Sequence, residues 1–169
     1  MTTLNYRWQR LLLVFITIAV LMASFYFEYV KNLEPCPLCM MQRLCVMLLL
    51  MFGMMSLFCG ISKCGRVTSI LQMMIALTGV FFAARQLWLQ SLPADQTPAC
   101  LPGLDVLINY FPWQEVFRAL FWGSGECAEI TGYWLGLSMP GWAALYFGFM
   151  FLANAYDYYR LRQKVETSQ

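Results

Sequence analysis

Four stretches, at about residues 11 to 29, 41 to 60, 67 to 87 and 140 to 157, are apolar for long enough to restrict the chain to very few folds. A helix rises 1.5 Å per residue, so about 20 such residues cross a hydrocarbon layer roughly 30 Å thick. Glu28 closes the first stretch, Lys63 and Arg66 separate the second from the third, and Pro140-Gly141 opens the fourth. With 60% of its 169 residues hydrophobic and 12% charged, the chain reads as a single membrane domain over residues 1–169. The expected fold is an all-α four-transmembrane-helix bundle. Gly53, Gly60, Ala76, Gly79, Ala83 and Gly148 are among the small residues that let helices approach in lipid.

Charge sets the expected orientation. Arg7 and Arg10 precede the first span, Lys63 and Arg66 fill the second connection, and Arg160, Arg162 and Lys164 follow the fourth span. These segments, and with them both termini, are expected in the cytoplasm. The opposite connections, residues 30–40 and 88–139, hold few basic residues and most of the acidic ones. A basic start and a leucine-rich run are also features of a signal peptide, but bulky Phe25, Tyr26 and Phe27 follow the small Ala23-Ser24 pair, which favours a retained span. A net charge of +2, with no dense Lys/Arg cluster, excludes nucleic acid as a partner.

The long connection should carry structure of its own. Trp113, Val116, Phe117, Leu120 and Phe121 recur at helical spacing, with Gln114, Glu115 and Arg118 on the other face. That pattern predicts a short helix that lies in the membrane interface or caps the bundle with its aromatic face.

Seven cysteines and no histidine leave thiols as the main reactive groups. Cys36, Cys39, Cys100 and Cys127 fall on the outer side, where disulfides persist. Cys59 and Cys64 fall near the reducing cytoplasmic side and Cys45 within a span, so these three are expected to be free core or loop residues. A Cys100–Cys127 bridge would close a loop of about 27 residues, worth about 3.5 kcal/mol, and could be purely structural. Cys36 and Cys39 differ, because CxxC is the spacing of redox-active dithiols and constrains little of the unfolded chain. Cys39 should sit in or beside the first turn of the second span, where free N–H groups and the helix dipole favour a thiolate. Arg43 follows at i+4, either snorkelling to headgroups or stabilising developing negative charge beside the CxxC. Four cysteines could also hold zinc or pass a soft cation, but the second pair lacks a tight double-CxxC spacing, and no metal site is expected.

Oxidising a soluble dithiol would leave two electrons on the chain. Met40 stands where a haem-attachment motif needs histidine, and no Gly-rich nucleotide loop is present. The bilayer offers quinone, with Cys39 as its thiolate partner and Arg43 as the donor to the developing oxyanion. Pro35-Cys36-Pro37-Leu38-Cys39 with Gln42-Arg43, Arg85-Gln86-Leu87-Trp88-Leu89-Gln90, Pro98-Ala99-Cys100-Leu101-Pro102-Gly103-Leu104, Gly125-Glu126-Cys127-Ala128-Glu129 and Leu135-Gly136-Leu137-Ser138-Met139-Pro140 together resemble the DsbB family of bacterial disulfide bond formation proteins. The likeness runs from about Arg7 to Asn154.

The resemblance implies a quinone-dependent thiol oxidase of the bacterial inner membrane, with its active cysteines periplasmic and a DsbA-like thioredoxin-fold protein as partner. It implies that a partner thiolate attacks Cys100 and that Cys127 leaves, engages Cys36 and frees Cys39, which meets quinone (ubiquinone or menaquinone) beside Arg43. Some family members carry a histidine near the outer end of the third span, where this chain has Gln90 and Ser91. Competing readings are a vitamin K epoxide reductase-like enzyme, a soft-metal-ion transporter and a disulfide-stapled membrane scaffold.

Overall fold

A computed structural model describes residues 3–31, 36–93, 97, 106, 109–128, 133–134 and 136–166. Four long helices, α1 (Thr3–Tyr29), α2 (Pro37–Cys59), α3 (Lys63–Gln90) and α5 (Met139–Glu166), surround a common core. Between the last two lie a short helix α4 (Trp113–Trp122), a 3-10 turn (Gly125–Ala128) and a ladder of β1 (Tyr133–Trp134) on β2 (Leu137–Ser138). The ladder is antiparallel, pairing Tyr133 with Ser138 and Trp134 with Leu137. The all-α expectation did not include this ladder. The helices also outrun the apolar stretches: α1 starts well before residue 11 and α5 continues well past 157. Polar residues extend a helix readily where a neighbouring helix supplies their partners.

Three of these helices, Asn5–Tyr29, Pro37–Cys59 and Lys63–Gln90, are long and apolar enough to cross a membrane. The distribution of side chains fits an apolar solvent. Phe15, Met22, Phe58, Met74 and Leu152 are exposed, whereas Arg10, Thr17, Gln72, Asn154 and Asp157 are almost wholly buried. In water that pattern would leave a large apolar surface unprotected. In lipid it turns the costly polar groups toward one another inside the bundle.

Those partners tie three helices together. Arg10 Nη1 on α1 donates to Gln72 Oε1 on α3 at 3.0 Å and to Asn154 Oδ1 on α5 at 2.7 Å. Its Nη2 donates to Ser69 Oγ at 2.6 Å, and its Nε lies 3.1 Å from Asp157 Oδ2. Higher in the bundle the Tyr146 hydroxyl donates to Thr17 Oγ1 at 3.0 Å. Arg10, which precedes the first apolar stretch in the sequence, is therefore a buried interhelical residue.

Close approach selects some of the small residues. A side chain at Gly79 would fall on the Phe147 ring, and Ala76 and Ala83 are fully buried, so α3 and α5 pack along a small-residue seam. A Cβ at Gly53 would lie 3.1 Å from Val14, which explains the α1–α2 approach. Gly148 has open space in front of it and serves no such contact.

The α2–α3 connection overturns one expectation. Cys59 and Cys64 are joined in a disulfide, with Cα atoms 5.6 Å apart. Gly60 ends α2 at φ +57°, and the Ser62 side chain caps α3 by accepting from the Gly65 N–H at 3.3 Å. So tight a turn brings the two helix ends together whatever the compartment. Cys45 is a free, buried thiol, as expected.

Candidate functional site

Pro37 starts α2, and Cys36 stands at its N-cap in an extended conformation (φ −66°, ψ 161°). Proline suits this place because its missing N–H would have no helical partner and its φ is already helical. Cys39 follows in the first turn. Cys36 Sγ donates to Cys39 Sγ at 2.9 Å.

Cys127 reaches the same point from the other end of the chain. α4 runs over the top of α2 with Val116 and Ala119 buried beneath it. Gly123 then turns the chain at φ +82°, where a Cβ would lie 2.7 Å from Leu89 and 2.8 Å from Leu38. Only glycine accepts both that backbone and that proximity. The 3-10 turn behind it carries Cys127, fully buried, with its N–H bonded to Ser124 O at 3.0 Å. Hydrogen bonding from the Cys36 thiol is the largest cause that pulls the Cys127 thiol down to about 6. Backbone donors at Leu38 and Ser124 act in the same direction and burial opposes them. The Cys36 thiol is raised, first by donating to Cys127, then by donating to Cys39 and by burial. Cys36 thus lies between two sulfur acceptors and has one proton to share. This geometry suits transfer of a sulfur–sulfur bond from one neighbour to the other.

Two glutamines complete the sulfur environment. Gln86 Nε2 on α3 donates to Cys39 Sγ at 3.2 Å and to Cys36 Sγ at 3.5 Å. Gln42 Nε2 on α2 donates to Gln86 Oε1 at 2.8 Å. Neither side chain was assigned a role from the sequence. Each is an amide in an apolar helix, and that cost in lipid was a signal for a specific partner.

Arg43 turns toward α1. Its Nη1 pairs with Glu28, its Nε donates to Ser24 Oγ at 3.1 Å, and its guanidinium carbon lies 4.8 Å from the centre of the Phe25 ring. The sequence placed Glu28 at the close of the first stretch and Ser24 in a small pair, but gave neither a role at the site. An acidic residue near the C-terminal end of the first apolar stretch, level with an arginine near the N-terminal start of the second, was the available clue. Cys100 lies outside the described residues. The structure therefore brings Cys36, Cys39 and Cys127 together and sets Arg43 one turn below them.

The profile described as "Disulfide bond formation protein DsbB" matches residues 6–156. The chain belongs to the DsbB family. It is 48% identical over 137 residues to Disulfide bond formation protein B of Hahella chejuensis, covering 80% of this chain and 83% of that one. The protein of the same name from Marinobacter nauticus is 43% identical over 146 residues, 85% of this chain and 87% of its own. That of Nitrosococcus oceani is 40% identical over 148 residues, 87% and 88% respectively. This DsbB-family chain is thus a membrane disulfide bond formation protein and a thiol–disulfide oxidoreductase, and the comparisons do not favour the metal-transporter or scaffold readings.

Proposed function

We propose that the chain reoxidises a DsbA-like thioredoxin-fold thiol oxidase in the periplasm and passes the electron pair to a membrane quinone, with Cys36, Cys39, Cys100 and Cys127 as the redox cysteines. The observation that carries this reading is the meeting of Cys127 with Cys36 and Cys39 at the head of α2. A partner thiolate attacks Cys100, the Cys100–Cys127 bond breaks, and Cys127 leaves as a thiolate. Cys127 then attacks Cys36; the new bond replaces Cys36–Cys39, and both electrons of the broken bond stay on Cys39. Each step is an exchange with no net change in oxidation until Cys39 passes its electrons on.

The residues around Cys39 suit a quinone. Leu44 and Met47 are exposed apolar surface on α2, and a guanidinium has five N–H donors, of which Glu28 and Ser24 engage two. When bound there, quinone supplies an acceptor for two electrons and two protons. Arg43 holds a fixed positive charge at the edge of the apolar layer, where a carbonyl oxygen gaining charge is stabilised.

In this reading α5 is the fourth span, both termini are cytoplasmic, the membrane is the bacterial inner membrane, and residues 30–40 and 88–139 are periplasmic. The exposed Trp113, Phe117 and Trp122 of α4 then lie at the headgroup level. The test is anaerobic mixing of the purified protein with a reduced thioredoxin-fold partner and ubiquinone or menaquinone. One quinol per partner disulfide is expected. Oxidation of the partner with no quinol formed would overturn the quinone step.

A further inference from the structure

Gln86 is 4% exposed, sits on α3 and reaches across to α2 with both ends of its amide in use. Cys39 Sγ lies 3.2 Å from its Nε2 and 3.6 Å from its Oε1, so the donor end is nearer the sulfur. The carbonyl end accepts from Gln42 Nε2 at 2.8 Å, and Gln42 is itself 7% exposed. An amide whose oxygen is held in this way keeps its N–H groups toward the thiols. Structural glue between two helices needs only the Gln42–Gln86 bond. The additional contacts to both sulfurs of the CxxC are contacts to reacting atoms.

We propose that Gln86 is a catalytic residue of the thiol exchange, its amide N–H stabilising the Cys39 sulfur as it leaves, and that Gln42 is the positioning residue that holds this amide. The inference rests on the reading of Cys36 and Cys39 as the redox pair. When Cys127 attacks, the Cys127–Cys36 bond forms, the Cys36–Cys39 bond breaks, and the electron pair of that bond collects on Cys39 Sγ. In an apolar site that negative charge is costly unless a donor already faces it. Gln86 Nε2 faces both sulfurs of the pair, so it follows the charge as the bond opens. Cys39 then leaves faster, and no proton has to be transferred in the step.

The experiment uses the purified full chain in lipid nanodiscs, with quinone removed. Dithiothreitol is added, and the appearance of free Cys39 is followed by quenched alkylation and mass mapping. Gln86→Met, which keeps the length and loses the donor, should slow Cys39 release on the order of tenfold, the scale of a hydrogen bond to a charged group. Gln86→Glu keeps the shape but is acceptor-only when ionised, and should slow release further above the carboxyl pKa while recovering as pH falls. Gln42→Leu should slow release less than Gln86→Met and should add nothing in the Gln86→Met background, because it acts only through that amide. A purely structural role would lower the unfolding midpoint and leave release unchanged. Wild-type release rates in both folded Gln86 variants, or additive effects of the two glutamines, would overturn the proposal. If oxidised wild-type protein holds no Cys36–Cys39 disulfide at the start, the underlying reading fails, and the proposal fails with it for that separate, visible reason.

Discussion

At Arg43, a side chain read as either snorkelling or catalytic proves to be clamped by α1 through Glu28, Ser24 and the Phe25 ring. A paired guanidinium is cheaper to keep near hydrocarbon than a bare one, and the clamp fixes the direction of its remaining donors. Arg43→Met should reduce quinol formation about 100- to 1000-fold, the usual cost of removing a donor to a developing oxyanion. Glu28→Gln keeps an acceptor but loses the counter-charge and should cost on the order of tenfold, about 1.4 kcal/mol. Neither change should alter a single-turnover reaction with the thiol partner in the absence of quinone. Equal defects in both assays would remove Arg43 from the quinone step. A second residue-scale prediction concerns Cys127, whose thiol is drawn from 9.0 down to about 6. In fully reduced protein its ultraviolet thiolate absorbance should rise through about pH 6. Because the folded value is depressed, the matching contribution to stability is complete above about pH 9 and is lost as pH falls through about 6. Cys36→Ala removes the largest cause and should move the inflection upward; an unmoved inflection would mean that the Cys36 thiol is not the donor.

Among the elements, α4 and the turn behind it determine whether Cys127 reaches Cys36. The aromatic stripe of Trp113, Val116, Phe117, Leu120 and Phe121 does form a helix, but the face divides. Val116 is buried on the bundle while Trp113 and Phe117 stay exposed, and the Phe121 ring is 5.8 Å from that of Phe82. A capping side and an exposed aromatic side therefore share one helix, with Ala119 joining Val116 on the inner side. Gly123→Ala adds a methyl at positive φ against Leu38 and Leu89. It should lift the 3-10 turn, lower stability by about 1 to 3 kcal/mol and impair formation of the Cys127–Cys36 bond. Mass mapping of the trapped interloop disulfide in folded variant protein checks this; wild-type yield would show that the turn adapts.

For the whole molecule, stability rests on polar contacts across the bundle as well as on apolar packing. Arg10 is the hub, bonded to α3 at Ser69 and Gln72 and to α5 at Asn154 and Asp157. Arg10→Met leaves the Asp157 carboxylate buried without its counter-ion and should cost about 3 to 5 kcal/mol. The double change with Asp157→Leu should recover part of that loss, as read from denaturant unfolding in mixed micelles; no recovery would mean that the pair is not coupled. The Cys59–Cys64 bond closes a loop so small that its removal should cost about 2 kcal/mol or less. Cys59→Ser with Cys64→Ser should keep full turnover, and loss of turnover in folded protein would place that disulfide in the electron path.

Much of this protein could be read along the chain, because lipid imposes a length and polarity on each segment that local sequence must satisfy. The apolar helices, the short amphipathic α4 and the CxxC at the head of α2 are all consequences of order and spacing. The motifs around the cysteines carry the family resemblance in sequence alone. Tertiary structure decided what depends on residues far apart in sequence. It paired Arg10 with Asp157, turned Arg43 onto Glu28, set Gln86 against the CxxC and joined Cys59 to Cys64 across the α2–α3 turn. A buried charge or amide needs a partner in lipid, and only the packed bundle determines which of the available partners lies within reach.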